Sequence, residues 1–219
     1  MIFNMQIQTQ IQTFPFSGYP VAKMSLGNFV DKNTVQFIKD LSFTKHTDAG
    51  LKLSKDAHVL QNKKLKELKY IICSAFNEYV NNVLEIENQF YMCNSWCTVQ
   101  KKDEFHPAHV HPNAIFSSVF YFQTDDTSLG FESEKSKIQE GFAFEYKIKN
   151  FNYYNSAKWF LPVKQGDLLI FPGELSHKTF PYKGENERIV IGSSYFIEGE
   201  LGTDSNYNSI NIGNKHARY

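Results

Sequence analysis

The segment HPAHVHPNAIF at residues 106–116 holds three of the chain's seven histidines within six positions. Neutral imidazole is the commonest metal-ligating side chain in proteins. In an extended strand, residues i and i+2 point to the same face, so His109 and His111 would aim their rings at one point. Two such ligands could form one edge of a metal site, and the alternative is a polar loop that happens to be rich in histidine. His106, which precedes a proline, is expected at the rim of the site.

A third ligand should come from a different strand, and the segment GDLLIFPGELSHKTFP at residues 166–181 offers His177. Residues 168–171 read as a buried strand that a Pro-Gly pair ends. His177 then opens the next extended piece, and Arg188 opens the strand RIVIGSSYF. We expect His177 and Arg188 on neighbouring antiparallel strands that face one cavity. A buried arginine needs an anion, and its planar fork suits a carboxylate, so a metal beside it is the arrangement for a bound keto acid.

Two helices are predicted ahead of the strands that carry these residues. Residues 31–41 place apolar side chains on one face, and Asp31 or Asn33 can cap the first turn. Residues 62–86 show a stronger apolar stripe at helical spacing, whose members are Leu65, Leu68, Ile72, Ala75, Phe76, Tyr79, Val80 and Val83. The lysine-rich opposite face is interpreted as solvated. The stretch before residue 30 is expected to be extended or irregular, and residues 42–60 to be a polar loop.

After residue 88 the chain changes to short aromatic and β-branched runs, which favour strands. They are FYMCNSWCTV, AIFSSVFYFQ, GFAFEYKI, GDLLIFP and RIVIGSSYFI, with turn signals such as TDDTSLG, KQG and YKGENE between them. This order predicts a mainly β (α+β) sandwich or open barrel, buttressed by N-terminal helices. We expect one domain over residues 1–219, with helical support to about residue 88, the β core at about 89–198 and a polar tail at 199–219.

Composition narrows the classes of function. The chain has 23 basic and 23 acidic residues, and such a neutral balance gives no electrostatic footprint for unspecific nucleic-acid binding. Its three cysteines do not suggest a disulfide framework and are interpreted as small buried hydrophobes. No apolar stretch approaches the roughly 20 residues of a membrane span, and the N-terminus lacks a secretory pattern. We therefore expect a soluble protein of a reducing compartment, the cytoplasm.

The histidine and arginine motifs together resemble a known family. HVHPNAIFSSVFYF, followed by GDLLIFPGELSHKTFPYKGENERIVIGSSYF, resembles the Fe(II)/2-oxoglutarate-dependent oxygenases with an H-x-H-P segment. These are relatives of the prolyl hydroxylases, common in marine bacteria and their phages. The shared pattern is His-x-His-Pro, a tyrosine-bearing strand, Gly-x-Leu-x-x-Phe-Pro, a histidine and then Arg-Ile. The resemblance covers most of residues 90–198, and it is specific because five elements occur in order.

The resemblance implies a double-stranded β-helix, which is a jelly-roll or cupin-like barrel, and an iron site made by His109, His111 and His177. Arg188 would bind the distal carboxylate of 2-oxoglutarate, and Tyr121 would hydrogen-bond this co-substrate. Asn113 and Ser117 could also line the pocket. With Fe(II), 2-oxoglutarate, O2 and ascorbate as an optional reductant, the enzyme would hydroxylate an unactivated C–H bond.

The resemblance leaves the substrate, the location and the assembly less defined. The substrate would be a protein, for instance at a prolyl residue, or a small metabolite, and the neutral charge argues against nucleic acid. The implied location is the cytoplasm, or the host cytoplasm for a phage protein. A homodimer stays open.

One departure from the family pattern matters. The widespread oxygenase triad has two histidines and one carboxylate, and here the carboxylate position reads His111. Either a three-histidine iron site works, or His111 is not a ligand and a carboxylate arrives from elsewhere. None of the nearby carboxylates has the expected spacing; these are Asp125, Asp126, Glu132 and Glu174.

Two other hypotheses on the function therefore stay open. One is a cupin-like three-histidine metalloenzyme that does not use 2-oxoglutarate, with Arg188 clamping the substrate's own carboxylate. The other is a non-catalytic jelly-roll binding module.

Overall fold

The structure, a computed structural model, describes residues 11–16, 18–27, 32–46, 50–125, 127–133, 146–152 and 154–213. The predicted strand GFAFEYKI lies largely outside these residues, as do Asp31, Asp126 and the last six residues of the tail.

The described residues form twelve strands, which are arranged in two antiparallel sheets. The strands are β1 Gln12–Phe16, β2 Tyr19–Ser25, β3 Phe43–Lys45, β4 Lys52–Ser54, β5 Gln89–Gln100, β6 Phe116–Gln123, β7 Thr127–Glu132, β8 Lys158–Val163, β9 Asp167–Pro172, β10 His177–Thr179, β11 Arg188–Leu201 and β12 Ile210–Ile212. The larger sheet runs β1-β2-β9-β6-β11-β5-β4-β3, with β12 paired to β11, and the smaller sheet runs β10-β7-β8.

The smaller sheet packs against one face of the larger one. Tyr121 and Phe171 from the larger sheet share a buried apolar cluster with Leu129, Phe131 and Leu161 from the smaller sheet. The alternation of side chains along each strand places one set of residues in this interface and the other set on the opposite face. The predicted mainly β jelly-roll architecture is confirmed, with two facing sheets that stay open instead of closing into a barrel.

The helices cover the other face of the larger sheet. Helix α1 spans Lys32–Lys39 and helix α2 spans Lys66–Asn82, so both predicted helices are confirmed with shorter bounds. The predicted stripe of α2 packs into the main core, where Phe76 stacks on Tyr195 of β11 with ring centroids 3.8 Å apart. The three cysteines are free, and only Cys97 is fully buried. No helix in the described part of the chain is long and apolar enough to cross a membrane.

Several local predictions need correction or refinement. Residues 42–60 are not simply a loop, because they form β3 and β4, whose three-residue length shows no periodicity. The segment TDDTSLG is not only a turn, since β7 begins at Thr127 and its Gly130 leaves room for the ring of Phe180, 3.2 Å from where a Cβ would lie. The polar tail contributes β12 to the sheet. The N-terminal stretch, which was expected to be extended or irregular, is extended and forms the β1-β2 hairpin.

Candidate active site

Backbone pairing between the segment ahead of β6 and the start of β10 brings the three histidines together. His109 and His177 exchange reciprocal N–H···O bonds of 3.0 Å, which make an isolated antiparallel bridge. His111 N donates to Gly173 O at 2.8 Å, and Gly173 N donates to Ile115 O at 2.9 Å. His109 and His111 therefore lie in an extended bridge ahead of β6, not in a regular strand as the spacing suggested, and His177 opens β10 as predicted.

The close approach of these two backbone segments requires glycine at position 173. A Cβ at this position would lie 2.2 Å from the carbonyl oxygen of Ala114. Asn113 completes the turn after His111 with φ of +63°, a left-handed conformation that asparagine tolerates better than most residues. The segment around His111 is thus held against the end of β9 with no space for a larger side chain at position 173.

The imidazole nitrogens converge closely enough to share one ion. One nitrogen from each of His109, His111 and His177 lies within 4.8 Å of the other two, and no Asp, Glu or Cys of the described chain joins this group. The contact between His111 Nε2 and His177 Nε2 is 3.2 Å. Three imidazoles in such an arrangement could hold a divalent metal.

Backbone carbonyls set the tautomers of two of these rings. His109 Nδ1 lies 2.9 Å from Pro107 O, and His177 Nδ1 lies 2.9 Å from Leu175 O. Because a carbonyl only accepts, Nδ1 carries the proton in both rings and Nε2 presents a lone pair. This carbonyl-to-imidazole arrangement is the one that usually orients metal-ligating histidines. The 3.2 Å contact with His177 then requires His111 Nε2 to be the donor in the metal-free protein.

Burial keeps the rings neutral. It lowers the pKa of His111 to about 4, lowers that of His109, and holds the pKa of His177 well below its usual range. The cause is loss of water around the charged form, and repulsion between neighbouring rings adds to it at His111 and His177. Neutral imidazoles are the form that binds a metal. Burial also lowers the pKa of His106 to about 3, and its ring stacks on His109 with centroids 3.7 Å apart, which places it beside the trio as expected.

The histidines open into a cavity of about 40 Å³ between the two sheets, which Arg188 and Tyr121 also line. Trp96 of β5 forms another wall, 5.2 Å from the His111 ring between centroids. The indole packs closely on Gly192 of β11, where a Cβ would be 2.5 Å from Trp96 Cε2. The sequence pattern gave no signal for this packing, which depends on the register between β5 and β11.

Arg188 is buried, and no described residue of opposite charge pairs with it. Arg188 is 1% exposed and is one of two arginines in the sequence. Nε donates to Gln100 Oε1 at 2.8 Å, Nη2 donates to the same oxygen, and the guanidinium carbon lies 5.3 Å from the centroid of the Tyr182 ring. Among the described residues, Nη1 finds no hydrogen-bond partner and no carboxylate forms an ion pair with Arg188. An unpaired buried cation is costly, so this site calls for an anion.

The pairing of β6 with β11 places Tyr121 close to Arg188. Tyr121 stands opposite Val190 in the β6-β11 pair and is 1% exposed. Burial raises the pKa of its hydroxyl, while the positive charge of Arg188 acts in the opposite direction. The phenol therefore stays protonated and can donate a hydrogen bond to an oxygen in the cavity.

Several site predictions need correction or extension. His177 and Arg188 face one cavity, but they come from different sheets instead of neighbouring strands. Asn113 and Ser117 do not line that cavity.

The nearby carboxylates have other partners. Asp125 accepts from the backbone N–H of Glu185 at 2.9 Å, and Glu132 pairs with Lys178 at 2.6 Å. Glu174 does not join the histidine group, while Asp126 lies outside the described residues. The alternative of a carboxylate ligand thus has no support among the carboxylates that the structure describes.

Sequence reasoning also missed two polar residues of the site, Gln100 and Thr179. Gln100 Nε2 donates to Thr179 Oγ1 at 3.3 Å, and both residues line the cavity. Gln100 directly follows the predicted strand FYMCNSWCTV, and a polar residue at a strand end carries no pattern that separates a buried role from an exposed one.

Comparison with known proteins gives a family match over the region that holds these residues. A family model described as "Putative 2OG-Fe(II) oxygenase" matches residues 94–193, which include the three histidines and Arg188. No curated protein matches the chain by sequence.

Among solved structures, the chain is similar to a prolyl-4-hydroxylase from Pseudomonas putida, with 12% identity, a TM-score of 0.51 and coverage of 82% of this chain and 94% of that one. It is also similar to HygX from Streptomyces hygroscopicus, solved with nickel and 2-oxoglutarate, at 10% identity, TM-score 0.51 and coverage of 79% and 82%. The alpha-ketoglutarate-dependent epimerase SnoN from nogalamycin biosynthesis gives 10% identity, TM-score 0.53 and coverage of 80% and 77%. At these identities the likeness shows a shared fold.

The matched family region, the shared fold and the three-histidine cavity agree with one another. By class, the chain is an Fe(II)- and 2-oxoglutarate-dependent oxygenase.

Proposed function

We propose that His109, His111 and His177 hold the Fe(II), that Arg188 and Tyr121 bind 2-oxoglutarate, and that the enzyme hydroxylates an unactivated C–H bond. One observation carries this proposal. Three neutral imidazoles converge in the same buried cavity as an arginine whose Nη1 has no partner in the part of the chain that the structure describes. A metal-binding group and an anion-binding group at the two sides of one cavity suit a small acid that bridges them.

The residues of the chain have separable tasks. The Nε2 lone pairs of His109 and His177 are fixed by their Nδ1 contacts with backbone carbonyls, so they are oriented before a metal arrives. Arg188 offers Nη1 to a carboxylate, and Tyr121 offers its hydroxyl. When bound, iron, 2-oxoglutarate and O2 supply oxidation of a C–H bond coupled to decarboxylation of the oxo acid to succinate.

The apolar surroundings of the cavity protect this chemistry. Leu129 and Val190 line it beside the histidines, and Phe171 lies with its ring centroid 4.6 Å from that of His177. Such walls exclude water and strengthen electrostatic interactions inside the site.

We propose that the substrate presents a single group at the mouth of the cavity, as a residue of a peptide or protein does. Two observations support this. The cavity of about 40 Å³ leaves little room for a whole substrate beside the oxo acid. The segment at the mouth is exposed, with Val110 42% accessible between the two histidines. The fold shared with a prolyl-4-hydroxylase agrees with a prolyl residue as the target, and a small metabolite is the rival substrate.

Anaerobic titration tests the proposal. The metal-free protein is titrated with Fe(II) and then with 2-oxoglutarate, and the weak visible charge-transfer band of the iron chelate is followed. The band should appear in the parent protein and be absent in R188A. Iron binding without the band would instead favour a three-histidine enzyme that does not use 2-oxoglutarate. If no iron binds, the hypothesis of a non-catalytic jelly-roll binding module is favoured. Succinate formation in air gives an independent check of 2-oxoglutarate turnover.

A further inference from the structure

A buried glutamine connects the anion-binding arginine with the histidine-bearing strand. Gln100 is 1% exposed and stands directly opposite Arg188 in the β5-β11 pair. Its Oε1 accepts from Nε of Arg188 at 2.8 Å and from Nη2, and its Nε2 donates to Thr179 Oγ1 at 3.3 Å. We infer that Gln100 is a positioning residue, which fixes the guanidinium for the carboxylate of the 2-oxo acid. This inference rests on the proposed function.

The chemistry of the two side chains fixes the orientation of the amide. A guanidinium has only donors, so the amide must turn its oxygen towards Arg188 and its NH2 group away. Two of the guanidinium nitrogens are then engaged by one neutral oxygen, and Nη1 is the nitrogen left without a partner in the described structure. Gln100 thus decides which part of the guanidinium remains for a ligand.

Neutrality of the residue at position 100 is essential to this arrangement. An amide oxygen orients the guanidinium without cancelling its charge, so Arg188 stays a full cation towards an incoming anion. A carboxylate at the same place would give Arg188 the buried ion pair that it does not make with any described residue. It would orient the guanidinium equally well but would remove its attraction for the oxo acid.

Thr179 extends the link to the other sheet. Its Oγ1 accepts from Gln100 and also from the backbone N–H of His106 at 2.7 Å. Thr179 lies two residues after His177 in β10, so the hydrogen-bonded chain from Arg188 through Gln100 crosses the cavity to the histidine-bearing strand. The anion-binding group is therefore held at a defined separation from the histidines.

The experiment compares Q100E, Q100A and the control Q89E. Gln89 lies on the same strand but is exposed, so Q89E repeats the chemical change far from the site. Two properties are measured: the melting temperature of the metal-free protein, and the affinity of the Fe(II)-loaded protein for 2-oxoglutarate under argon.

For Q100E we expect a melting temperature at or above that of the parent, with 2-oxoglutarate affinity lowered by at least about a hundredfold, the scale of losing a buried charged contact. For Q100A we expect a lower melting temperature and an affinity loss of roughly tenfold, since the charge stays but its orientation is lost. Q89E should match the parent in both. A merely structural role would move stability and affinity together, whereas Q100E should separate them.

The outcomes distinguish this inference from the proposed function. If the parent binds 2-oxoglutarate and Q100E binds it within about threefold, Gln100 does not position the anion site and only this inference fails. Tighter binding by Q100A would show that Gln100 occupies the carboxylate's place instead of preparing it, which also overturns the inference. If the parent itself binds no 2-oxoglutarate, the proposed function fails and the inference fails with it.

Discussion

Replacing Arg188 with methionine should remove stabilisation by 2-oxoglutarate without unfolding the protein. Arg188 is 1% exposed, and burial lowers its pKa, which means that the folded state disfavours the charge. An unpaired buried cation costs several kcal/mol even after relaxation. Methionine fills similar volume without charge, while the Oε1 of Gln100 loses its partner at a cost of about 1–3 kcal/mol. The two effects are of similar size, so R188M should be about as stable as the ligand-free parent, or more stable.

The ligand effect is larger and can be estimated. A ligand that binds only the folded state at one hundred times its dissociation constant stabilises it by about 2.7 kcal/mol. For a chain of this size, 1 kcal/mol shifts the melting temperature by roughly 2–4 °C. The metal-loaded parent should therefore gain about 5–10 °C on addition of 2-oxoglutarate. R188M should gain almost nothing.

Thermal unfolding followed by circular dichroism measures both effects, with Mn(II) as a redox-stable substitute for Fe(II). Each protein is melted free, with metal, and with metal and 2-oxoglutarate. R188K serves as a control that keeps the charge but loses the planar fork, and an intermediate gain is expected for it. The reasoning is refuted if R188M gains as much as the parent from 2-oxoglutarate. It is also refuted if R188M melts far below the parent in the absence of ligand, because Arg188 would then be a structural residue.

Other consequences can be measured on the same preparations. G173A should weaken metal binding at least about tenfold in calorimetry, because the new Cβ meets Ala114 O and displaces the backbone that carries His111; unchanged binding would show that this close approach does not position the ligand. H177A should lose metal binding, whereas H106A should retain it, as equilibrium dialysis with Fe(II) under argon would establish; equal losses would remove the distinction between ligand and rim residue. The metal-free protein should lose stability as pH falls from 6.5 towards about 4, since burial lowers the pKa of His111 and the unfolded chain gains the proton first. Denaturant titrations should show a slope of up to about 1.4 kcal/mol per pH unit for each histidine that stays neutral, and little change above pH 7. Fe(II) should bind more tightly when 2-oxoglutarate is present, which the dialysis can also measure.

Much of the fold could be predicted because its elements are long or strongly patterned. Helix α2 buries Leu68, Ile72 and Phe76, the repeat that the sequence shows, and β11 begins at Arg188 as expected. The three-residue strands β3, β4 and β12 could not be predicted, since so few residues show no period and their pairing depends on distant partners. Strand β7 was obscured by Gly130, which lies within the strand close to the Phe180 ring and forms no turn.

The candidate site, like the fold, could be predicted only in part. His109, His111, His177 and Arg188 could be selected because their types and spacing point to metal and carboxylate chemistry, and the structure brings all four to one cavity. Their roles as ligands stay predictions. Gln100 could not be selected, because its importance arises from facing Arg188 across the β5-β11 register. A cross-strand register of this kind is fixed by the whole sheet and leaves no mark within either segment alone.

The expected coupling between iron and 2-oxoglutarate follows from the charges of the site. Three neutral imidazoles leave both positive charges of a bound Fe(II) uncompensated, and Arg188 adds a third in the same buried cavity. In the described chain no carboxylate joins the histidine group to offset them. A 2-oxo diacid brings two negative charges, one for the metal and one for Arg188, so each ligand should strengthen binding of the other by the same factor. A carboxylate introduced by H111D would supply part of that negative charge itself. Metal should then bind the variant more tightly without the acid, and the coupling should shrink.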